Sequence, residues 1–394
     1  MSNARRRVLW GSLLAVLVAV ATVVTPYWVM RPFRPQGPRE LEVALTVLRF
    51  APWLIAVALG LAVWMVARAW RGGWLRRSGT TLALLVVVAA AAASRVNLFE
   101  QMFAPLTVPT FVAANSDLLS ADEVAMAVRV GDSARAYPVS IMAYHHVFND
   151  EVGGVPLVVT YRTLCHTGLV WARTVQGERL KFHLAGIHNQ NFLMRDEQTG
   201  SFWQQVTGRC VAGPLRGTQL EPVHSDELTL GRFAAESPAG TVLIGEQSFA
   251  KDYDPEWELG VARLPSVVDT ADTPLPPRTL VAGVEAGGRS RAYLPATLQA
   301  SPLLLDELGG TPLLLWSAGP RTLRAFDRRV DGVALLLAPA GDGRAVDADT
   351  GSVWNFQGCA VEGPRAGKCM RGVQVLWDFW FDWRLYHPDT SVSG

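Results

Sequence analysis

The sequence predicts N-terminal transmembrane helices followed by an α+β, mostly β, soluble domain made of two similar halves. Three observations predict this fold class: long apolar runs near the N-terminus, short β-branched runs beyond them, and segments that recur in the same order. Hydrophobic residues make up 49% of the 394 residues, which is a high share for a purely soluble protein. Most of that excess lies in the first hundred residues.

Three apolar stretches predict a membrane anchor, because a helix needs about 20 residues to cross a bilayer. They are residues 8–29, 51–69 and 78–94, the last being shorter and rich in alanine. A cleaved signal peptide is the alternative for the first stretch, but its apolar run is too long and two more runs follow. We therefore expect a three-helix transmembrane anchor over residues 1–97 and a linker over residues 98–122.

Arginine placement predicts how this anchor is oriented. Seven arginines precede the first span or lie around the second loop: Arg5, Arg6, Arg7, Arg68, Arg71, Arg76 and Arg77. Four lie between the first two spans: Arg31, Arg34, Arg39 and Arg49. Cytoplasmic segments carry the arginine excess, so we expect a cytoplasmic N-terminus and an extracytoplasmic soluble domain. After residue 100 the chain has 24 basic and 32 acidic residues, which argues against nucleic-acid binding.

The soluble part contains an internal repeat. Residues 128–138, 149–159, 199–203 and 233–242 match residues 284–294, 305–315, 350–354 and 383–392, and residues 210–217 resemble 359–367 with one inserted residue. We expect a first repeat over 123–260, a linker over 261–278 and a second, degenerate repeat over 279–394. Short helices are predicted at 138–146, 226–236 and 376–386. Residues present in both copies are best explained by a role in folding. Residues present in one copy only are the better candidates for a chemical role.

The segment TYRTLCHTG, residues 160–168, forms a turn between two predicted strands and carries a thiol beside an imidazole. Cys165 and His166 are the candidate catalytic residues, as a nucleophilic cysteine with histidines to activate it. Asn189 or Asp196 could orient a histidine. An inert Cys165 in a disulfide with Cys210 is the alternative, and the sequence leaves both open.

Six of the seven histidines lie in the first copy, and they suggest a metal site as a second reading of the same region. The candidate ligands are His145, His146, Cys165, His166, His183 and His188. Thiolate and imidazole suit copper or zinc, although the spacing matches no standard template. Arg162, Asn189, Trp203 and Gln204 are candidates for substrate binding.

The remaining cysteines and the aromatic residues near the C-terminus favour structural roles. Cys359 and Cys369 flank CAVEGPRAGKC, whose Gly-Pro centre suits a hairpin, and we expect them to form a disulfide. An aromatic stripe is expected in the core or at a membrane-facing edge: Trp377, Phe379, Trp380, Phe381 and Trp383.

The segments AYHHVFNDEVGGVPLVVTYRTLCHTG and LKFHLAGIHNQNFLMRDEQTGSFWQQVTGRCVAGPLRG resemble the bacterial family labelled domain of unknown function 3179. The resemblance covers about residues 123–390. It implies an exported or membrane-anchored protein without an established activity, and some relatives are predicted to carry selenocysteine in the equivalent turn. Many members have a second cysteine where this chain has Arg162, so a dithiol–disulfide cycle within the turn is not available here.

Together these observations predict a bacterial inner-membrane protein with a metal-binding or thiol-based redox function outside the cytoplasm. A non-catalytic ligand-binding or assembly module of the cell envelope is the first alternative, and an enzyme with a cysteine nucleophile is the second. The expected partners are the lipid bilayer, a cell-envelope protein and a small-molecule ligand.

Overall fold

The computed structural model describes residues 3–254, 256–266 and 274–393. The chain divides into two compact units. One, here called the helical unit, comprises the chain up to Phe103 and the inserted segment His183–Gln219. The other, the sheet unit, comprises Ala104–Phe182 and the chain from Leu220 onward. The domain boundaries expected from the sequence stay a prediction, and residues 267–273 of the expected second linker lie outside the described residues.

Three long helices near the N-terminus are followed by short ones. In chain order the helices are α1 (Asn3–Val29), α2 (Pro38–Ala69), α3 (Trp74–Ala93), α4 (Leu98–Met102), α5 (Val139–His145), α6 (Leu230–Glu236), α7 (Trp257–Ala262), α8 (Pro295–Ala300) and α9 (Trp380–Tyr386), with one 3₁₀ turn at Gln247–Phe249.

The first three helices confirm the predicted apolar spans. Each is long and apolar enough to cross a membrane: Arg5–Val29, Pro38–Ala69 and Trp74–Ala93. They pack through small side chains, among them Ala15 of α1 and Ala58 of α2, beside Val87 of α3. Alanine at such positions lets helix backbones approach closely, which is how helices associate where lipid offers no hydrophobic driving force.

The strands before residue 260 are short and mostly antiparallel. They are β1 (Thr110–Ala113), β2 (Val124–Val130), β3 (Ser133–Pro138), β4 (Val147–Val152), β5 (Val155–Arg162), β6 (Thr167–Ala172), β7 (Thr174–Val175), β8 (Glu178–Arg179), β9 (Phe182–His188), β10 (Asn191–Asp196), β11 (Phe202–Gln204), β12 (Cys210–Ala212), β13 (Pro222–Val223), β14 (Ser225–Thr229) and β15 (Thr241–Ile244).

The later strands follow a similar order. They are β16 (Leu280–Ala286), β17 (Arg289–Tyr293), β18 (Leu303–Leu308), β19 (Thr311–Ser317), β20 (Leu323–Asp327), β21 (Arg329–Val330), β22 (Val333–Ala334), β23 (Leu337–Pro339), β24 (Ala345–Asp347), β25 (Val353–Trp354), β26 (Ala360–Glu362), β27 (Arg371–Val373), β28 (Val375–Phe379) and β29 (Ser391–Ser393).

The strands form several small sheets, and the sheets before and after residue 260 have matching orders. The order β1-β15-β3-β2-β14 corresponds to β28-β16-β17-β29 read in the opposite direction and without an equivalent of β1. The order β13-β6-β5-β4 corresponds in the same way to β18-β19-β20-β27. β15 pairs with β3 in parallel, as β29 does with β17. In the helical unit β9–β12 form a four-stranded meander, and in the sheet unit β23–β26 form another.

Hydrogen bonds repeat with the same pattern. The Asp196 carboxylate accepts from the Trp203 indole at 2.8 Å, and Asp347 accepts from Trp354 at 3.0 Å. The expected alignment of Cys210 with Cys359 is off by one residue. The backbone of Cys210 bonds Gly217 and Thr218, and in the later segment it is the backbone of Ala360 that bonds the equivalent Gly367 and Lys368.

Two helices begin later than predicted. The expected helices at 226–236 and 376–386 are α6 and α9, but residues 225–229 and 375–379 are strands β14 and β28. Their backbone groups pair with β2 and β16, which lie far away in sequence. Non-local pairing of this kind overrides the helical pattern. The prediction of a helix at 138–146 is confirmed by α5.

Candidate thiol site

The turn between β5 and β6 positions Cys165 and His166. The last cross-strand pair is Arg162 with Thr167, so four residues close the turn. The Arg162 carbonyl accepts from the backbone N–H of Cys165 at 3.2 Å and of His166 at 2.7 Å. His166 has a φ of +68°, a left-handed conformation that costs a non-glycine residue free energy and is frequent at functional sites.

The Cys165 thiol lies in a fully buried pocket of acidic and aromatic side chains. Cys165 is 0% exposed and packs with Phe379 and Phe381. Its carbonyl accepts from the Phe379 backbone N–H at 2.8 Å. The Asp382 carboxylate is close enough to the thiol to raise its pKa. These contacts place the thiol against β28 and the start of α9.

Two carboxyl groups beside the thiol form a close pair. The Thr167 hydroxyl lies 3.0 Å from Asp378 Oδ1 and 3.2 Å from Asp382 Oδ2, so it can donate to either. Both aspartates are 0% exposed. Burial raises the pKa of Asp378 well above its usual value, and the charge of Asp382 raises it further. The two carboxyl groups therefore titrate as a coupled pair, in which ionisation of both is disfavoured.

The thiol itself is protonated at rest. Burial raises the pKa of Cys165 well above that of a free cysteine, and the charges of Asp382 and Asp378 add to the increase. Arg162 acts in the opposite direction as a neighbouring cation. Burial lowers the pKa of Arg162 to about 10, so its guanidinium is still charged at neutral pH. Arg278, whose guanidinium donates to the Leu164 carbonyl, is a second cation near the thiol.

His166 belongs to a different cluster from its neighbour. Its Nε2 lies 2.9 Å from Glu258 Oε1 and 3.0 Å from Arg321 Nη1, while Nδ1 lies 3.1 Å from the Tyr161 hydroxyl. Burial, followed by the charge of Arg321, lowers the pKa of His166 and keeps it neutral. The guanidinium of Arg321 also contacts Glu227. Glu258 is partly exposed, so the outer side of this cluster meets solvent.

The other predicted ligands of the sheet unit have structural partners. His145 Nδ1 lies 2.5 Å from the Ala104 carbonyl oxygen and its Nε2 lies 2.9 Å from the Tyr253 hydroxyl. His146 Nε2 lies 3.2 Å from Arg162 Nη1. Burial lowers the pKa of His146 well below its usual value, so the ring is neutral and can accept from the guanidinium.

His183 and His188 belong to the helical unit. His183 lies between two carboxylates, with Nδ1 2.7 Å from Glu100 and Nε2 2.5 Å from Glu197, and these hydrogen bonds raise its pKa. His188 Nδ1 lies 2.9 Å from Gln204 Nε2. Both rings therefore have partners within their own unit.

The candidate substrate-binding residues of the helical unit also lie in hydrogen-bonded networks. The Asn189 backbone N–H donates to Gln36 Oε1 at 2.5 Å, and the Gln36 backbone N–H donates to Asn189 Oδ1 at 2.9 Å. Trp203 is fully buried and Gln204 is 7% exposed. Of the predicted substrate-binding residues, Arg162 is the one beside the Cys165 thiol.

The cysteines divide into one disulfide and two thiols. Cys359 and Cys369 form the expected disulfide, which closes the hairpin after β25. Cys165 and Cys210 are both free and buried. The structure thus has a free thiol at Cys165, one of the two alternatives that the sequence left open.

The part of the chain that the structure describes does not bring together the ligands of a common copper or zinc site. Within residues 3–254, 256–266 and 274–393, no group of three or more His, Cys, Asp or Glu side chains could hold a metal ion. The histidine nitrogens nearest to the turn have protein partners instead. The prediction of a copper or zinc cofactor gains no support from this geometry.

Sequence reasoning missed the part of the site that comes from the second half of the chain. Asp378 and Asp382 lie within the predicted aromatic stripe, whose aromatic members are buried, as expected for core residues. A signal was present, since two aspartates in a run as apolar as VLWDFWFDW are buried charges that need a reason. Arg278, Arg321 and Glu258 carried no comparable signal.

Comparison with known proteins identifies the family without supplying an activity. No curated protein and no solved structure is detectably similar to the chain. A family model described as a protein of unknown function, DUF3179, matches residues 103–390, which is most of the chain and includes the whole thiol site. The chain belongs to the DUF3179 family.

Proposed function

We propose that this protein is a membrane-anchored, extracytoplasmic thiol-redox protein in which Cys165 is oxidised by a small peroxide. The observation that carries the proposal is the placement of a buried free thiol against the Asp378–Asp382 pair, with Arg162 and Arg278 as neighbouring cations. Two coupled carboxyl groups that share one proton beside a nucleophile can serve as acid and base in general acid–base chemistry.

The proposed reaction uses each carboxyl group once. Asp382 accepts the thiol proton as the sulfur attacks one peroxide oxygen. The S–O bond forms, the O–O bond breaks, and the leaving oxygen takes the proton of Asp378. Cysteine is oxidised to sulfenic acid, hydrogen peroxide is reduced to water, and the carboxyl pair ends with the one proton it began with. The arginines stabilise the developing thiolate.

The cost of this cluster supports a functional role. Burying charged groups costs several kcal/mol per ion, and replacing a buried ionic group by apolar side chains is often neutral or stabilising. A chain that needed only a well-packed core would gain nothing from two aspartates and a fully buried arginine. The enclosed position also favours a small, neutral oxidant, since a charged substrate would have to lose its hydration.

Aromatic residues support the proposed membrane anchor. Exposed tryptophans occur in two pairs along the first two helices: Trp10 and Trp28 on α1, and Trp53 within α2 with Trp70 directly after its end. At 1.5 Å per residue, each pair is separated by about 26 Å along its helix, close to the thickness of the hydrocarbon core. Tryptophan prefers the two membrane interfaces. The arginine distribution favours an extracytoplasmic position for the chain after α3.

Matched contacts support an internal duplication in the sheet unit. Arg135 and Tyr137 bind Asp150, and Arg291 and Tyr293 bind Asp306 in the same way. The contacts between the halves are also reciprocal. In the matched sheets β20 corresponds to β6 and β14 corresponds to β28, and β6 contacts β28 while β20 contacts β14. In this view the second half lost the thiol but supplies the carboxyl groups.

Peroxide kinetics test the proposed reaction. We expect the full chain to consume hydrogen peroxide in the presence of a small thiol reductant, and Cys165→Ser to abolish this activity. Asp378→Asn should lower the second-order rate constant by about 100-fold, because general acid catalysis contributes at least that factor. Cys210→Ser serves as the control with one thiol fewer.

Alkylation separates a chemical role of Asp378 from a structural one. Iodoacetamide needs no proton for its leaving group, so Asp378→Asn should retain alkylation of Cys165 while losing peroxide turnover. Unchanged peroxide kinetics in Asp378→Asn, or activity that survives in Cys165→Ser, would refute the proposal.

A further inference from the structure

A cavity of about 520 Å³ lies within the helical unit, between the first turns of α2 and the hairpin that contains β12. One wall is formed by α2, where Leu41 and Leu45 lie one turn apart and Phe50 lines the cavity closer to the middle of the helix. The other wall includes Phe202 and Val211. Polar side chains, among them Thr46 and Gln204, also line the cavity, so its mixed interior suits an amphiphilic molecule.

The cavity also has a basic rim. Arg49, Arg209 and Arg216 line it, against one carboxylate, Glu42. Arg216 lies 3.3 Å from Glu42, which offsets one charge. Arg49 and Arg209 have no acidic partner among the described residues, and both side chains are exposed. The rim therefore holds two uncompensated positive charges, which complement an anion.

The position along α2 locates this rim relative to the membrane. α2 has 32 residues, a length of about 48 Å, which exceeds a hydrocarbon core of about 30 Å. Trp53 is 73% exposed and Phe50 is 47% exposed, as aromatic side chains at a membrane interface are. Arg49 comes directly before them, at the level that lipid phosphates occupy.

We propose that this cavity binds the headgroup of an anionic phospholipid, with the phosphate between Arg49 and Arg209 and the acyl chains running along the exposed Phe50 and Trp53 toward the membrane-spanning part of α2. The proposal rests on the membrane anchor of the proposed function and not on the chemistry of Cys165. Binding a lipid of the surrounding membrane would hold the β12 hairpin against α2 within the helical unit.

Native mass spectrometry of the detergent-purified full chain tests the site. Incubated with equal amounts of phosphatidylglycerol and phosphatidylcholine, the protein should retain mainly phosphatidylglycerol. The double variant Arg49→Gln/Arg209→Gln should lose at least about tenfold of this preference, since each arginine near anionic lipid contributes about 1 kcal/mol. Glu42→Gln, which frees Arg216, should increase it.

A matched control has the same change in charge at the other end of the bundle. Arg71→Gln/Arg76→Gln should keep the preference of the wild type. Equal loss in this control, or no loss in Arg49→Gln/Arg209→Gln, would overturn the proposal. Displacement of the lipid by millimolar inorganic phosphate would also overturn it, because the site would then take free phosphate. Because the lipids are offered in micelles, failure here is distinct from failure to anchor, which alkaline extraction of membranes measures.

Discussion

At the scale of single residues, Cys165 and His166 are adjacent in sequence but occupy different surroundings. The thiol faces Asp382 and the phenylalanines of β28 and α9, whereas the imidazole contacts Tyr161, Glu258 and Arg321. The positive φ of His166 separates the two side chains. The two side chains therefore have different neighbours, and the catalytic roles expected of Cys165 and His166 stay a prediction.

The acidic neighbours of Cys165 make a prediction about its reactivity. Asp382→Asn removes a negative charge that raises the pKa of the thiol, so deprotonation becomes easier. The pH profile of Cys165 alkylation should move to lower pH, and the alkylation rate at pH 8 should rise. Asp389→Asn, an exposed position just after α9, should leave the profile unchanged. A profile that stays in place or moves to higher pH in Asp382→Asn would contradict the described electrostatics.

At the scale of elements, the sequence predicted what local patterns determine. Hydropathy predicted α1–α3, and the β-branched run LVVTY predicted β5, because each pattern lies within one element. Local sequence patterns could not predict that the Thr167 hydroxyl contacts Asp378, which lies 211 residues later. Partner choice between strands depends on the packing of the whole sheet, which no local window contains.

The Asp–Trp turns offer a test of how the meanders are stabilised. In the sheet unit Asp347 caps a turn through the Thr350 backbone N–H at 2.8 Å and also accepts from the buried Trp354 indole. Asp347→Ala leaves the indole N–H without its partner, which costs about 1–3 kcal/mol. We expect the thermal midpoint to fall by about 2–12 °C.

Asp349→Ala is the matched control for this substitution. It removes a carboxylate from the same loop, but Asp349 is largely exposed and meets Arg365 only at 3.9 Å. Its effect on the midpoint should be close to zero. Equal midpoints for Asp347→Ala and the wild type would show that the turn hydrogen bonds contribute little.

At the scale of the whole sheet unit, the thiol site joins residues from both halves. Cys165 and Thr167 come from the segment before residue 260, Asp378 and Asp382 come from the segment after residue 279, and Arg278 lies at the end of the expected linker. The predicted repeat directed attention to the residues that the segment after residue 279 lacks. The sequence could not show that Asp378 and Asp382 join the site, because their position beside Cys165 depends on the contact between β6 and β28.

Trapping of the sulfenic acid is a direct test of the proposed oxidation of Cys165. The full chain would be treated with hydrogen peroxide in the presence of dimedone, and each cysteine-containing peptide would then be measured by mass spectrometry. We expect a near-stoichiometric dimedone adduct on Cys165 in the wild type and much less of this adduct in Asp378→Asn. An unmodified Cys165 thiol, at peroxide concentrations that oxidise free cysteine, would contradict it.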